Sequence, residues 1–406
     1  MNRRKPAPGS GRPGLTALLL AIGVLLLPGL AHAQPAGGTA RPRIGLVTSL
    51  SGQSAYIGTD IRDGFLMALS IAGKVHGREI AEVLVRDDAI VPEKGLAQAR
   101  DLLRNEGVRL FTGVVSTNIA VLVVPELLQA GALFVSPNAA PKDLSGRTCH
   151  PRYFVTSYHN DSMAEIAAKF AAGRGFRRAY LISASFQAGL DAVESFRQHF
   201  GGQIVGESIA HFGQVDFSQD LQRIREAKPD VILQFLPGSI GVAFLRSFHE
   251  ARLSEQIAVV LPSSALDHRM LAVAGSSAAG LYVTAHWNRD FGIPANRRFI
   301  EEWQSRYNRV PTLYAMQGFD AGQAMAAAIL RAGGQTDDPE IIARHLGEVE
   351  IASPRGRFRF GRNRHPVQDW WLLSVKRDPQ GQYQLVTDRR IAEGHADSFA
   401  GDCPAP

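Results

Sequence analysis

The stretch Arg43–Gly73, RIGLVTSLSGQSAYIGTDIRDGFLMALSIAG, constrains the fold more than any other part of the chain. Ile44–Val47 is an apolar run of strand length, and Thr48–Gly58 is polar and rich in small residues. Ile61, Phe65, Ala68, Leu69 and Ala72 then recur at the spacing of one helix face. Strand, polar loop and helix form the first half of a βαβ unit. In an open α/β sheet such a loop lies at the ligand-binding end of the strands. From this stretch alone, an ordinary connecting loop without a ligand is the alternative.

The pattern repeats. Strands are expected at Glu82–Val85, Val108–Gly113 and Leu133–Val135, with helices between them, one opening on Pro92 and ended by Gly107. At Cys149 the rhythm breaks: Tyr153–Ser157 is extended, and Asn160-Asp161 offers a cap for a helix running to Ala172. A second series follows, with strands at Ala179–Ile182, Ile204–Ile209, Val231–Phe235, Ile257–Leu261 and Leu281–Thr284. Two doubly wound sheets are therefore expected, joined near Thr156 and again near Ala285. The remaining helices, Pro294–Tyr307, Tyr314–Ala332 and Pro339–Leu346, have no strands of their own and are expected to cover the first sheet. Phe358–Phe360 and Trp370–Val375 read as short strands. Repeated crossing between two lobes makes a hinge and leaves a cleft.

The chain starts with Arg3, Arg4, Lys5 and Arg12, then the apolar run Leu15–Leu27, Pro28 and the Ala31-His32-Ala33 motif. This is the form of a cleaved secretory signal peptide over 1–33, followed by a Pro/Gly/Ala tail over 34–41 that is expected to be disordered. A retained anchor would need a longer apolar run. No cysteine near the cleavage site offers a lipid attachment point. Of 44 basic residues, four lie in the leader, and against 38 acidic residues the mature chain carries +2. That balance gives no argument for nucleic acid or a membrane surface as partner. The two cysteines, Cys149 and Cys403, read as a disulfide in an exported chain, with two free thiols as the alternative.

Enzyme signatures are missing: no GxSxG elbow, HExxH, CxxC or phosphate-binding GxxxxGK[ST] occurs. Gly173-Arg174-Gly175 precedes a strand and reads as a helix terminus. His150 and His159 are scattered rather than paired, and no metal site is expected. What the strand-end loops do carry is hydroxyls and small residues: Ser51 and Ser54 with Tyr56 beside them, Ser116 and Thr117, and Ser136, Asn138 and Ala140. Beside helix N-termini they suit an anion. The second series offers Phe186 with Gln187, Pro237-Gly238 and Ser263-Ser264 after its strands. His286, at the second crossover, could line the cleft or pack against the hinge.

The order Leu50-Ser51-Gly52 with Gly58, Asp87-Asp88, Gly113–Thr117, Ser136–Ala140 and Gly318-Phe319-Asp320-Ala321 resembles the branched-chain amino acid type of periplasmic solute-binding proteins. The resemblance covers nearly all of Arg43–Val375. It implies an α/β fold of two doubly wound lobes joined by a multi-crossover hinge, the type I arrangement. Lobe 1 would be 42–156 with 285–371, and lobe 2 would be 157–284 with 372–406. It also implies a periplasmic, monomeric, non-enzymatic protein without a cofactor, with a small carboxylate as ligand and an ABC transporter permease as partner. By the resemblance, Ser116, Thr117, Asn138 and Ala140 would hold the carboxylate and Phe186 would stack on the ligand. The family's ammonium-binding Glu is Ser263 here, and its lobe-two Tyr falls at about Pro237. The run Phe154–Asp161 with Phe186–Gly189 looks like the subgroup that binds aromatic carboxylates. Branched-chain amino acid binding and a sensor ectodomain are the alternatives.

Overall fold

The computed structural model describes residues 41–52, 55–211, 213–333 and 335–404. The expected leader, nearly all of the tail and Ser54 lie outside these residues. Among the described residues no helix is long and apolar enough to cross a membrane.

The first sheet is built from β1 (Arg43–Thr48), β2 (Glu82–Asp87), β3 (Leu110–Gly113), β4 (Leu133–Ser136) and β5 (Tyr153–Val155), all parallel, in the order 2-1-3-4-5. The second repeats that order with β6 (Arg178–Ala184), β7 (Gln203–Ala210), β8 (Val231–Phe235), β9 (Ala258–Pro262) and β10 (Tyr282–Ala285) as 7-6-8-9-10. Each sheet thus has a topological switch point, between β1 and β3 and between β6 and β8, where a crevice opens beyond the strand ends.

Apolar runs make both sheets buried on two faces, as parallel strands require. In the first sheet, α2 (Pro92–Arg104) and α3 (Thr117–Gln129) cover one face, around Leu102, Ile119, Val123 and Phe134. On the other face, α1 (Ala55–His76) lies against α10 (Leu313–Arg331), with α11 (Pro339–Gly347) beside it, around Phe65, Leu110, Met325 and Ile342. The α1–α10 pair touches through glycine: a Cβ on Gly318 would lie 2.1 Å from the Ile61 carbonyl oxygen, so any side chain would force the helices apart. In the second sheet α4 (Asn160–Gly173) and α5 (Gln187–Phe200) cover one face. The other carries α6 (Ser218–Ala227), α7 (Ser239–Glu250) and α8 (His268–Ala274). A continuous apolar cluster joins α4 and α5 to α1, α10 and α9 (Pro294–Tyr307) through Met163, Ile61, Tyr314 and Trp303.

Three differences from the sequence expectation stand out. The strands β11 (Phe358–Phe360) and β12 (Pro366–Arg377) pair in the second sheet, β12 antiparallel to β10, so the expected lobe boundary at 371/372 falls inside one strand. A further strand, β13 (Tyr383–His395), lengthens that edge and has no counterpart in the sequence reading. The α4 cap is His159, whose Nδ1 accepts the Asp161 amide, while Asn160 and Asp161 lie within the helix.

Cys149 and Cys403 are bridged, with Cα atoms 5.7 Å apart, which ties the C-terminal segment to the end of the first sheet.

Candidate functional site: a cleft between the two sheets

The two switch points face each other across a cavity of about 330 Å³. On the first-sheet side, β3 ends at Gly113, where a Cβ would lie 2.1 Å from the Val47 carbonyl oxygen, so only glycine permits the crossing there. The chain then turns through Val114, at φ 64, into α3. Ser116 is the N-cap of α3, yet its side chain makes no capping bond, and the first turn holds no acidic residue. The positive end of this helix is therefore left for an anion. Ser116, Thr117 and Asn118 all line the cavity.

Asn138 braces this loop. Its Nδ2 donates to the Val115 carbonyl at 2.8 Å, and its Oδ1 accepts from the Tyr158 hydroxyl at 3.0 Å. Asn160 Nδ2 donates to Thr117 Oγ1 and to Asp191 Oδ2, both at 3.2 Å, and the Gln187 amide donates to Asn118 Oδ1 at 3.1 Å. The two halves are thus bonded directly beside the cavity. Aromatic rings supply the walls: Tyr56 and Tyr314 meet edge-on with centroids 6.2 Å apart, and Phe186 and Phe235 lie 6.3 Å apart. Pro237, Gly238 and Ser239 close the second-sheet side at the start of α7. None of the cavity's described lining residues carries a charge.

Of the residues expected at the site, Tyr56, Ser116, Thr117, Asn138, Phe186 and Pro237 line the cavity. The others that are described do not. Ser51 is exposed and donates to Asp87 Oδ2 at 2.7 Å, bracing the β1 loop. Ser136 is fully buried, its hydroxyl spent on the Ala139 carbonyl at 2.6 Å. Ala140 is buried and its amide donates to Asn160 Oδ1 at 3.2 Å. Ser263 lines a separate small cavity with Asp267 and Trp287, and its neighbour Ser264 faces the cleft instead. His286 packs one layer behind, between Tyr158 and Trp370, each 5.5 Å away, and burial drives its pKa well down, so it is a neutral hinge residue. Tyr158, Asn160, Met163, Phe235 and Tyr314 line the cavity without having been singled out for it.

Among the described residues one cluster groups ligand-type side chains outside the cleft: His159, His365 and Asp397, all buried. Its donors are largely committed. His159 accepts the Asp161 amide at Nδ1 and meets Ser145 Oγ at Nε2, while Asp397 accepts from Asn363, His365 and Phe399. Stacked rings 5.3 Å apart join His159 to His365, and the set reads as a polar clasp for the C-terminal segment.

Behind the cleft, burial first and the nearby Asp191 second push the Asp161 carboxyl up to about 7, and its Oδ1 is buried without a partner. A carboxyl raised in the folded state stabilises fully below its unfolded pKa, about 4, and that contribution is lost as pH rises through the folded value. Asp161→Asn should therefore match the wild type near about pH 4 and gain on it progressively, levelling above about pH 8 at no more than about 4 kcal/mol. Urea midpoints of the two proteins across that range test this; a constant gap would refute it.

Residues 42–382 match the periplasmic binding protein family. The chain belongs to that family. Its members bind small solutes and work with ABC transporter permeases; they are binding proteins, not enzymes. The chain is 26% identical over 350 residues to the Leu/Ile/Val-binding protein homolog 6 of Brucella melitensis, covering 84% of this chain and 89% of that protein. Among solved structures it resembles an ABC transporter substrate-binding protein from Sphaerobacter thermophilus, at 28% identity and TM-score 0.82, covering 87% of this chain and 98% of the other. It also resembles an ABC transporter solute-binding protein of R. palustris in complex with benzoate, at 26% identity and TM-score 0.81, covering 88% and 98%.

Proposed function

We propose that this periplasmic binding protein is exported, and that it captures a small aromatic monocarboxylate in the cleft and presents it to an ABC importer. The observation that carries the reading is the chemistry of the cavity wall: aromatic rings, an uncapped helix N-terminus and, among the described lining residues, no charged side chain. A carboxylate is received by the amides and hydroxyls of Ser116, Thr117 and Asn118, and a flat apolar body by Phe186, Phe235 and the tyrosines. An amino acid would bring an ammonium group as well. Buried without a carboxylate partner, that group is costly; the loop after β9 brings Ser264 to the cavity, while its one carboxylate, Asp267, lies outside the lining and is bonded to Tyr56 and the α8 amides. The similar R. palustris protein was solved with benzoate, which agrees with this reading. The Leu/Ile/Val names of the Brucella relatives favour the second reading, a branched-chain amino acid.

Isothermal calorimetry with benzoate, 4-hydroxybenzoate and leucine separates the two. The aromatic acids are expected to bind at micromolar concentrations, and leucine at least about a hundredfold more weakly. Micromolar leucine binding with no response to aromatic acids would overturn the ligand assignment. A mature N-terminus at Gln34, read by mass spectrometry of the exported protein, tests the leader.

A further inference from the structure

Tyr56 is more than a wall of the cavity. It stands at the start of α1, which leaves the first sheet, and its hydroxyl donates to Asp267 Oδ2 at 3.0 Å. Asp267 follows β9 of the second sheet and caps α8, accepting the amides of Arg269 and Met270 through its other oxygen. The Arg269 guanidinium lies over the Tyr56 ring, 5.2 Å from its centroid, and reaches Asp60 Oδ1 at 3.3 Å, back on α1. Asp60 is fully buried and is also bonded by Arg309 and by Thr312 Oγ1, the latter at 2.6 Å. Two charged or polar contacts thus run from one turn of α1 to the start of α8, reciprocally and across the cleft. Neither Asp267 nor Arg269 lines the cavity.

We propose that Asp267 and Arg269 are positioning residues that clasp α1 when the two sheets close, and so hold Tyr56 as the lid over the bound solute. This rests on the cleft being the solute site. The contacts join groups on opposite lobes, so they exist in the closed arrangement and are lost when the lobes separate. Asp60 keeps Arg309 and Thr312 on its own side of the cleft, so opening does not strand its charge. Asp267 keeps its two α8 amides. The clasp therefore adds to the closed state without a large penalty on the open one. It should govern how long a solute stays rather than how fast it enters.

The test uses the full mature chain and benzoate as probe. Tyr56→Phe removes only the hydroxyl and keeps the ring; Arg269→Ala removes the second contact; Asp267→Asn keeps one acceptor oxygen for the α8 cap and leaves an amide N–H against the Tyr56 hydroxyl, so that hydrogen bond survives only with its direction reversed. By stopped flow, Tyr56→Phe and Arg269→Ala are each expected to raise the benzoate off-rate about tenfold or more with the on-rate changed by less than about threefold. Asp267→Asn, which keeps the α8 cap and a reversed hydrogen bond to Tyr56, is expected to raise the off-rate less than Tyr56→Phe does. A role confined to capping α8 would leave Tyr56→Phe silent, and that result overturns the proposal. Small-angle scattering of the ligand-free proteins provides a reading that does not depend on the solute. A larger radius of gyration in Tyr56→Phe than in the wild type supports the clasp even where benzoate fails to bind the wild type, a failure that counts against the aromatic-acid assignment alone. Unchanged radii together with unchanged off-rates, or unchanged radii where benzoate does not bind, overturn it.

Discussion

Replacing Arg355 by methionine is expected to cost about 3–5 kcal/mol, because it strips the partner from a buried carboxylate. The Arg355 side chain is almost wholly buried and sits 3.0 Å from Asp320, which is fully buried on α10. Its remaining donors reach the carbonyls of Thr156 and of Ser157, the latter at 2.8 Å, and Gln368 Oε1 at 2.6 Å. It also lies over the Phe358 ring, 4.4 Å from the centroid. Thr156 and Ser157 are the crossover from the first sheet to the second, and Gln368 is in β12 at the opposite crossing. One guanidinium therefore knots a first-sheet helix to two of the strands that pass through the hinge. Methionine fills much of the volume but donates nothing, leaving Asp320 with only Ser353 and Gln323. Lysine keeps the charge but lacks the planar fork needed to reach several acceptors at once, so an intermediate loss is expected. The double variant Arg355→Met with Asp320→Leu should be less destabilised than Arg355→Met alone, since no charge is left stranded. Urea midpoints of the three proteins check this; equal losses in the single and the double would show that the stranded carboxylate is not the cause.

The knot also shows what the sequence reveals and what it conceals. The alternation of apolar strand, hydroxyl-bearing loop and helix is written locally, so both parallel sheets were legible from it. Gly113 and Ser116 are legible for the same reason: a βα turn needs them next to the strand they follow. Tyr158 and Asn160 reach the cavity from the crossover and the start of α4, and Tyr314 from a helix that begins 237 positions after α1 ends (313 − 76), and local pattern carries no record of that meeting. Asn160 has the composition of a cap, and here the cap is its neighbour His159. Ser263 and Ser264 differ only in which way a strand end points, and the choice falls one residue later than expected. β13 escaped notice because it is an edge strand whose residues are all partly or fully exposed, so it lacks the apolar alternation that marks a strand. Asp320 belongs to a recognisable motif, but its partner Arg355 lies 35 positions on in a loop without periodicity.

Removing the Cys149–Cys403 bridge is the second large perturbation, and it acts through the unfolded chain. The bridge spans 254 positions, so it forbids the unfolded chain most of its extended conformations; the chain-entropy account assigns such a closure about 5 kcal/mol. In the folded protein the segment it anchors is held independently. Asp397 accepts from His365 and Asn363, Phe399 packs on the His159 ring with centroids 5.1 Å apart, and Ser398 donates to Glu165 at 2.8 Å. The Cys149→Ala/Cys403→Ala protein should therefore fold to the same structure and still bind its solute, while its melting temperature falls by on the order of 10 °C. Two measurements separate an entropic cause from a loss of native contacts. The urea m-value should rise in the variant, because an uncrosslinked chain exposes more surface on unfolding. Reductant should lower the wild type to the variant's midpoint and leave the variant unchanged. If the variant instead melts as the wild type does, the unfolded chain is already compact enough that the closure removes little entropy, and the native clasp of Asp397, Ser398 and Phe399 holds the C-terminal segment unaided.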